Sequence, residues 1–196
     1  MSEERVPRLF TPEEYLLIEF DAPTRSEYDN GKIYAMAGAS EIHGDVIENL
    51  IGIGFLFPQL RPTKCRATTH DVKVRPEMAT AYYYPDVVVT CGERIYEDSK
   101  QRVLLNPVSI FEVLSPSTAS YDQVVKYNRY LEIESLKDYV LVAQDVAHVV
   151  HHSKDEGSEL NTRIHTKLTE TFTLRGAPAS LALSDIYDRV TLAELE

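Results

Sequence analysis

The chain has 196 residues, 43% of them hydrophobic, with no long low-complexity run, so it carries enough apolar material for a real core and disorder is not expected. Its 31 acidic residues against 20 basic ones give a formal net charge of −11, which argues against broad nonspecific binding to nucleic acid and leaves room only for a local basic patch. No apolar run approaches membrane-spanning length, Met1-Ser2-Glu3-Glu4 is no signal peptide, and Cys65 and Cys91 fit neither a disulfide framework nor a zinc site; a cytoplasmic protein of one domain, residues 1–196, with no membrane partner is expected.

In chain order, Thr11-Pro12-Glu13-Glu14 opens a first helix, with Thr11 as N-cap, Pro12 in the first turn and Glu14 closing a capping box. Asn30-Gly31 is a strong hairpin signal, so antiparallel strands flank it, with Glu27 and Tyr28 on opposite faces of the first. On this pattern alone Glu27 is a solvated strand residue. Ser40 to Leu60 is predicted helical, with Ile42, Val46, Leu50, Ile53 and Phe57 along one face and Pro58 with Pro62 marking the end. His43 falls in its first turn, where a surface or satisfied core histidine is the ordinary reading.

Short strands follow at 64–68 and 71–75. Two buried strands come next, Tyr84-Pro85-Asp86-Val87-Val88-Val89 and the run from Val108 to Leu114, separated by a polar stretch. Each carries one carboxylate, Asp86 or Glu112, in an otherwise apolar run. A buried carboxylate is costly without compensation. Either a divalent cation serves both, or each accepts backbone N–H bonds or pairs with an arginine. Ser115-Pro116-Ser117-Thr118 ends the second strand, and a helix is expected from Thr118 to Glu134. Asp122, Lys126 and Tyr130 share one side of that helix and Val124, Tyr127 and Leu131 the other, so periodicity does not decide which side faces the sheet. Lys126 also reads as an ordinary i,i+4 partner of Asp122. Strands at 138–143 and 147–152 form a meander, with weaker strand signals near 162–167 and 170–174 and a helical turn at 184–187. The order predicts an α+β fold, a central mixed sheet with helices against its faces and an N-terminal β-hairpin.

There is no GxGxxG, P-loop, HExxH or GxSxG pattern. What remains is carboxylates, one lysine and one histidine, a set suited to metal-assisted hydrolysis. Pro85-Asp86, Glu112-Val113-Leu114-Ser115-Pro116-Ser117-Thr118, Asp122 and Lys126 resemble the Uma-two family of restriction-endonuclease-like proteins, within the PD-(D/E)xK nuclease superfamily. The likeness runs over nearly the whole chain, from Thr11-Pro12-Glu13-Glu14-Tyr15 through the Glu27 hairpin and His43 to Leu136-Lys137-Asp138-Tyr139. Leu114 stands where the superfamily places a strand lysine, and the resemblance implies that Lys126 replaces it. It further implies a restriction-endonuclease-like fold and a metal-dependent endodeoxyribonuclease acting on DNA. Asp86, Glu112 and the Val113 carbonyl would hold Mg²⁺ or Mn²⁺, oxygen-seeking cations. Glu27 would complete the carboxylate cluster, Lys126 would act on water or phosphate, and His43, Asp122 and Tyr130 would support them. DNA contacts would fall to Arg61, Lys64, Arg66, Lys73, Arg75 and Arg129, and a homodimer would match the two-fold symmetry of a duplex. A non-catalytic binding module and a phosphodiesterase acting on a smaller substrate remain open alternatives.

Overall fold

The computed structural model describes residues 8–36, 38, 40–52, 56–69, 72–76, 80–97, 103–115, 119–155 and 159–193. Helix α1, Pro12–Asp21, starts as expected: Thr11 Oγ1 accepts the Glu14 N–H at 3.2 Å, and the Glu14 carboxylate accepts the Thr11 N–H at 2.9 Å. The hairpin follows, β1 (Ser26–Asp29) and β2 (Lys32–Ala35), with Tyr28 facing Ile33. Its turn holds Asn30 at φ 47° and Gly31 at φ 88°, the left-handed pair that suits the twist of the strands.

The helix expected from Ser40 to Leu60 is two helices, α2 (Glu41–Ile51) and α3 (Leu56–Leu60). Residues 53–55, and Ile53 with them, lie outside the described residues. Gly52 ends α2 in extended backbone. Phe57 points outward, 59% exposed, and Pro58 is the third residue of α3, in a first turn whose N–H groups have no partner within the helix to lose. Strands β3 (Cys65–Thr69), β4 (Lys73–Val74), β5 (Ala81–Tyr82), β6 (Val87–Cys91), β7 (Val103–Leu104) and β8 (Ser109–Leu114) come next. A crossover helix leads to β9 (Asp138–Ala143), and β10 (Val149–Lys154), β11 (Leu160–His165), β12 (Thr171–Thr173) and β13 (Ser180–Ala182) complete the strands.

Six strands form the central sheet in the order β11-β10-β9-β8-β6-β3. It is mixed, because β8 and β9 pair in parallel and the other neighbours antiparallel. A parallel pair needs a crossover, and the helix between Leu114 and Asp138 supplies it. Val87, Val89, Phe111, Val113, Val140 and Val142 look to one face, where Val46, Ile47 and Leu50 of α2 cover them. Ile110, Leu114, Tyr139 and Leu141 look to the other, under Tyr130, Ile133 and Leu136. Each such side chain contributes roughly 1.5–3 kcal/mol on burial. A smaller sheet, β2-β1-β5, carries the hairpin and packs Tyr15, Tyr28 and Tyr82 together.

Cys65 and Cys91 face each other across the β3–β6 ladder and form a disulfide, a pairing their spacing of 26 residues does not announce. No helix among the described residues is long and apolar enough to cross a membrane.

Candidate active site

The site begins at a break in a ladder. Strands β6 and β8 pair only as far as Val87 with Phe111, because Pro85 has no N–H to carry the ladder on. Beyond the break the Val113 N–H loses its backbone acceptor, and Oδ2 of Asp86 takes its place at 2.7 Å. In a strand the N–H and C=O of one residue point to the same edge, so the Val113 carbonyl looks toward Asp86 as well. Oδ1 of Asp86 lies 3.1 Å from Nε2 of His43, in the first turn of α2. Ser40 caps that turn, accepting the His43 N–H at 3.2 Å.

Next along β8 is Glu112, 3% exposed. Both of its recorded hydrogen bonds fall on Oε1: Lys126 Nζ donates at 3.2 Å and the Tyr130 hydroxyl at 3.2 Å. Lys126 also lies 2.9 Å from Oε1 of Glu27 and 3.3 Å from Oδ1 of Asp122. One ammonium thus meets three carboxylates, all of them buried. Glu27, which the strand pattern alone places in solvent, is instead 7% exposed, and its Oε1 also accepts the Tyr84 N–H at 2.9 Å. The alternation of β1 could not show this, because the groups that satisfy Glu27 come from residues far along the chain.

The crossover helix settles which of its sides faces the sheet. It consists of a turn at Ala119–Tyr121, a π-helical turn at Asp122–Lys126 and an α-helical turn at Tyr127–Tyr130. Asp122, Lys126 and Tyr130 are buried, while Val124 is 58% exposed. The polar side faces in. Pro116, Ser117 and Thr118, part of the motif that carries the resemblance, lie outside the described residues.

Burial pushes the Glu112 carboxyl well above its ordinary value, and Asp122, Asp86 and Glu27 add to the rise while Lys126 opposes it. For Lys126, burial works against the ammonium, but Glu112, Glu27 and Asp122 outweigh it and hold the amine protonated. Three carboxylates therefore surround one lysine, with Asp86 a fourth acting on Glu112, and the site is short of positive charge. Burial also raises the Tyr130 phenol, which remains a neutral donor to Glu112.

A divalent cation fits this donor set. Among the described residues no three His, Cys, Asp or Glu side chains form a ready cage. Mg²⁺ does not need one, since it keeps several waters and takes one or two carboxylates. Asp86 bonds the Val113 N–H, next along β8 from Glu112, and the excess of carboxylate over ammonium is the charge such an ion would offset.

Sequence patterning missed Glu19. On α1, it accepts the Ser26 N–H at 3.1 and 3.2 Å, the Ser26 hydroxyl at 2.6 Å and the Tyr84 hydroxyl at 2.9 Å. It thereby ties the start of β1, and so Glu27, to the chain just before Asp86. No local signal marks it. Of the proposed DNA-contacting residues, Arg75 pairs with Glu97, Arg129 lies 3.4 Å from Asp29, and Lys73 stands 5.1 Å from the Tyr84 ring centre. Lys64 and Arg66 line a surface cavity with Arg94.

Known proteins bear on the family and the fold. The profile of the Uma2 family, described as "Putative restriction endonuclease", matches residues 12–184. The chain is 32% identical over 183 residues to the uncharacterized protein slr1290 of Synechocystis sp., covering 92% of each chain. It is 33% identical over 148 residues to the uncharacterized protein sll1609 of the same organism, covering 75% of this chain and 82% of that one. A crystal structure from Anabaena variabilis described as a "putative nuclease" superposes with a TM-score of 0.76 at 16% identity, over 92% of this chain and 99% of the other, a likeness of fold. With the profile spanning residues 12–184 and a relative 32% identical matched over 92% of each chain, this protein belongs to the Uma2 family of restriction-endonuclease-like proteins.

Proposed function

We propose that the chain, acting as one nuclease domain, is a metal-dependent endonuclease that hydrolyses phosphodiester bonds in DNA. The observation that carries this reading is the Lys126 ammonium, 2.9 Å from Glu27 and 3.2 Å from Glu112 on a helix rather than on the strand, with Asp86 at the adjoining ladder break. Asp86, Glu112 and the Val113 carbonyl would hold Mg²⁺ or Mn²⁺. Such an ion supplies Lewis-acid charge stabilisation at the phosphate and makes a water more acidic. Lys126, kept protonated by its neighbours, donates to a phosphate oxygen and orients the attacking water. Glu27 and Asp122 hold the lysine in place, and Tyr130 fixes the Glu112 carboxylate. His43 bears on Asp86 from the opposite side and can meet the phosphate or its waters. Two copies about a two-fold axis would address the two strands of a duplex, which sedimentation at roughly tens of micromolar protein checks.

The test is plasmid cleavage with Mn²⁺ by the wild type, Lys126→Met and Asp86→Asn. The asparagine keeps an oxygen for the Val113 N–H and removes the charge, so the fold is expected to survive. Both variants are expected to lose about a hundredfold or more in turnover, the scale of a positioned electrostatic or acid–base group. Wild-type rates from Lys126→Met would remove the lysine from the chemistry. No cleavage by any of the three would favour a non-catalytic module, and cleavage of a small phosphodiester without the plasmid would favour a smaller substrate.

A further inference from the structure

A second polar cluster lies on the opposite face of the central sheet and takes no part in the nuclease reading. Side chains alternate across a sheet. Glu112, Tyr130 and Tyr139 belong to the face under the crossover helix, whereas Val140, Val149 and Phe172 belong to the face under α2. At the far edge of this second face, β10 and β11 set His151 directly across from Arg163 and Ser153 across from Asn161. Phe172 of β12 closes the floor, with its ring 5.0 Å from His151 and 5.2 Å from His165. His151, Ser153, Arg163, His165, Phe172 and Arg175 line a cavity of about 400 Å³.

Asp138 organises the inner wall. It is 1% exposed, and its carboxylate receives the Ser109 hydroxyl at 2.8 Å, the Arg175 N–H at 2.9 Å and the Gly176 N–H at 2.7 Å. His151 Nε2 lies 2.8 Å from its Oδ1. Four donors surround that carboxylate, so its charge is already satisfied inside the fold. A carboxylate acts only as an acceptor, so Nε2 carries the proton of the neutral ring and Nδ1 presents its lone pair. His151 is 5% exposed, and Nδ1 has no hydrogen-bond partner among the described residues. The hydroxyl of Ser153 has no hydrogen-bond partner among the described residues either and opens into the cavity. In His165, also 8% exposed, Nε2 is buried without a hydrogen bond, while Nδ1 lies 3.7 Å from Glu170.

Buried polar groups are seldom left unsatisfied, and those that are mark places where something else completes them. The rim indicates the sign of that missing group. Arg163 makes no ion pair among the described residues, and Arg175 lies 3.5 Å from Asp155, which also accepts from Asn161 at 2.9 Å. Two guanidinium groups thus face one carboxylate at the mouth. A cation there would meet two guanidinium groups, so the charge of the rim suits an anion.

We propose that this cavity is a binding site for a phosphate group. Arg163 and Arg175 donate to its unprotonated oxygens, the Ser153 hydroxyl donates to another, and Nδ1 of His151 accepts the O–H of a hydrogen phosphate. A hydrogen phosphate carries both the ionised oxygens that these donors need and an O–H for Nδ1, which an ionised carboxylate lacks. Inorganic phosphate and the terminal phosphate of a nucleotide share this chemistry. The site is independent of the nuclease reading.

The experiment is calorimetric titration of the full chain in EDTA with inorganic phosphate and, separately, with adenosine 5′-monophosphate. The proteins are the wild type, Arg163→Ala and Arg175→Ala. Both arginines are replaced at the rim, and the backbone N–H that Arg175 gives to Asp138 is retained, so these variants are expected to fold. The wild type is expected to bind one phosphate per chain saturably, and each arginine variant to bind about tenfold or more weaker. Tighter binding of the nucleotide would identify a nucleotide as the source, and equal or weaker binding would identify the free anion; either supports the site. Absence of saturable binding by both ligands in the wild type would overturn the proposal. So would undiminished binding in both arginine variants, which would place the anion elsewhere on the chain.

Discussion

At the scale of single residues, Glu112 is the group on which folding and chemistry pull in opposite directions. Burial raises its folded pKa above the ordinary 4.5. The folded state therefore holds a proton that the unfolded chain gives up. Stability without metal is at its full value below the ordinary carboxylate pKa and is lost as pH rises through the folded value. Within that window each pH unit costs about 1.4 kcal/mol. Glu112→Gln removes the titration, and Lys126 keeps Glu27 and Asp122 as partners. Thermal unfolding in EDTA from pH 5 to 8 should show the wild type losing stability with rising pH and the variant nearly flat across the same range; parallel curves would mean that Glu112 is already ionised at low pH. Lys126→Met acts the other way. It strands three buried carboxylates and is expected to cost about 3 kcal/mol or more of stability at neutral pH, the scale of breaking a buried ion pair, measured by urea denaturation. As an exposed i,i+4 partner of Asp122 alone, the lysine would account for only a few tenths of a kcal/mol.

At the scale of elements, the hairpin turn illustrates what local chemistry decides. Gly31 sits at φ 88°, and a β-carbon there would come within 3.0 Å of Leu9. Gly31→Ala should therefore cost about 1–2 kcal/mol through strain and crowding together. Chemical denaturation should show a shifted midpoint with an unchanged slope, since the compactness of neither state is altered. Signals of this kind were legible in the sequence: the Thr11 cap, the Asn30-Gly31 turn and the β-branched runs of β6, β8 and β9 each state their conformation within a few residues. Other features were not. The orientation of the crossover helix depends on a π turn at Asp122–Lys126, which 3.6-residue periodicity cannot express, and on buried carboxylates supplied by β1 and β8. The two-residue strands β4, β5 and β7 are too short to carry a pattern. Asp86 falls just before β6 and is only partly buried, whereas the need of Glu112 for compensation was readable, because a carboxylate inside an apolar strand demands an explanation. The burial of Glu27 and Glu19 was not, because the groups that satisfy them lie up to 99 residues away (Glu27 to Lys126).

At the scale of the whole molecule, a net charge of −11 limits how DNA can be held. Half of the proposed basic contacts are engaged within the protein or packed on a ring; of the other three, Arg61 is exposed after α3, and Lys64 and Arg66 lie beside Arg94 at the β3 edge as the local patch. If this edge carries the backbone contacts, Lys64→Ala with Arg66→Ala should weaken binding to every DNA sequence alike. The slope of log affinity against log salt should fall by about 2, one for each phosphate contact removed, as titrations at several salt concentrations would show. An unchanged slope would place the DNA elsewhere. The crossover between β8 and β9 has a consequence of a different kind, in the order of synthesis. Domains emerge N-terminus first. Glu27, Asp86 and Glu112 leave the ribosome ahead of Lys126, and β8 gains its parallel partner only when β9 follows. The three carboxylates that meet the Lys126 ammonium, Glu27, Glu112 and Asp122, are thus all made before the one cation that holds them together. On the nuclease reading, a nascent chain stays inert while it is tethered near nucleic acid, and competence arrives only when the crossover helix docks.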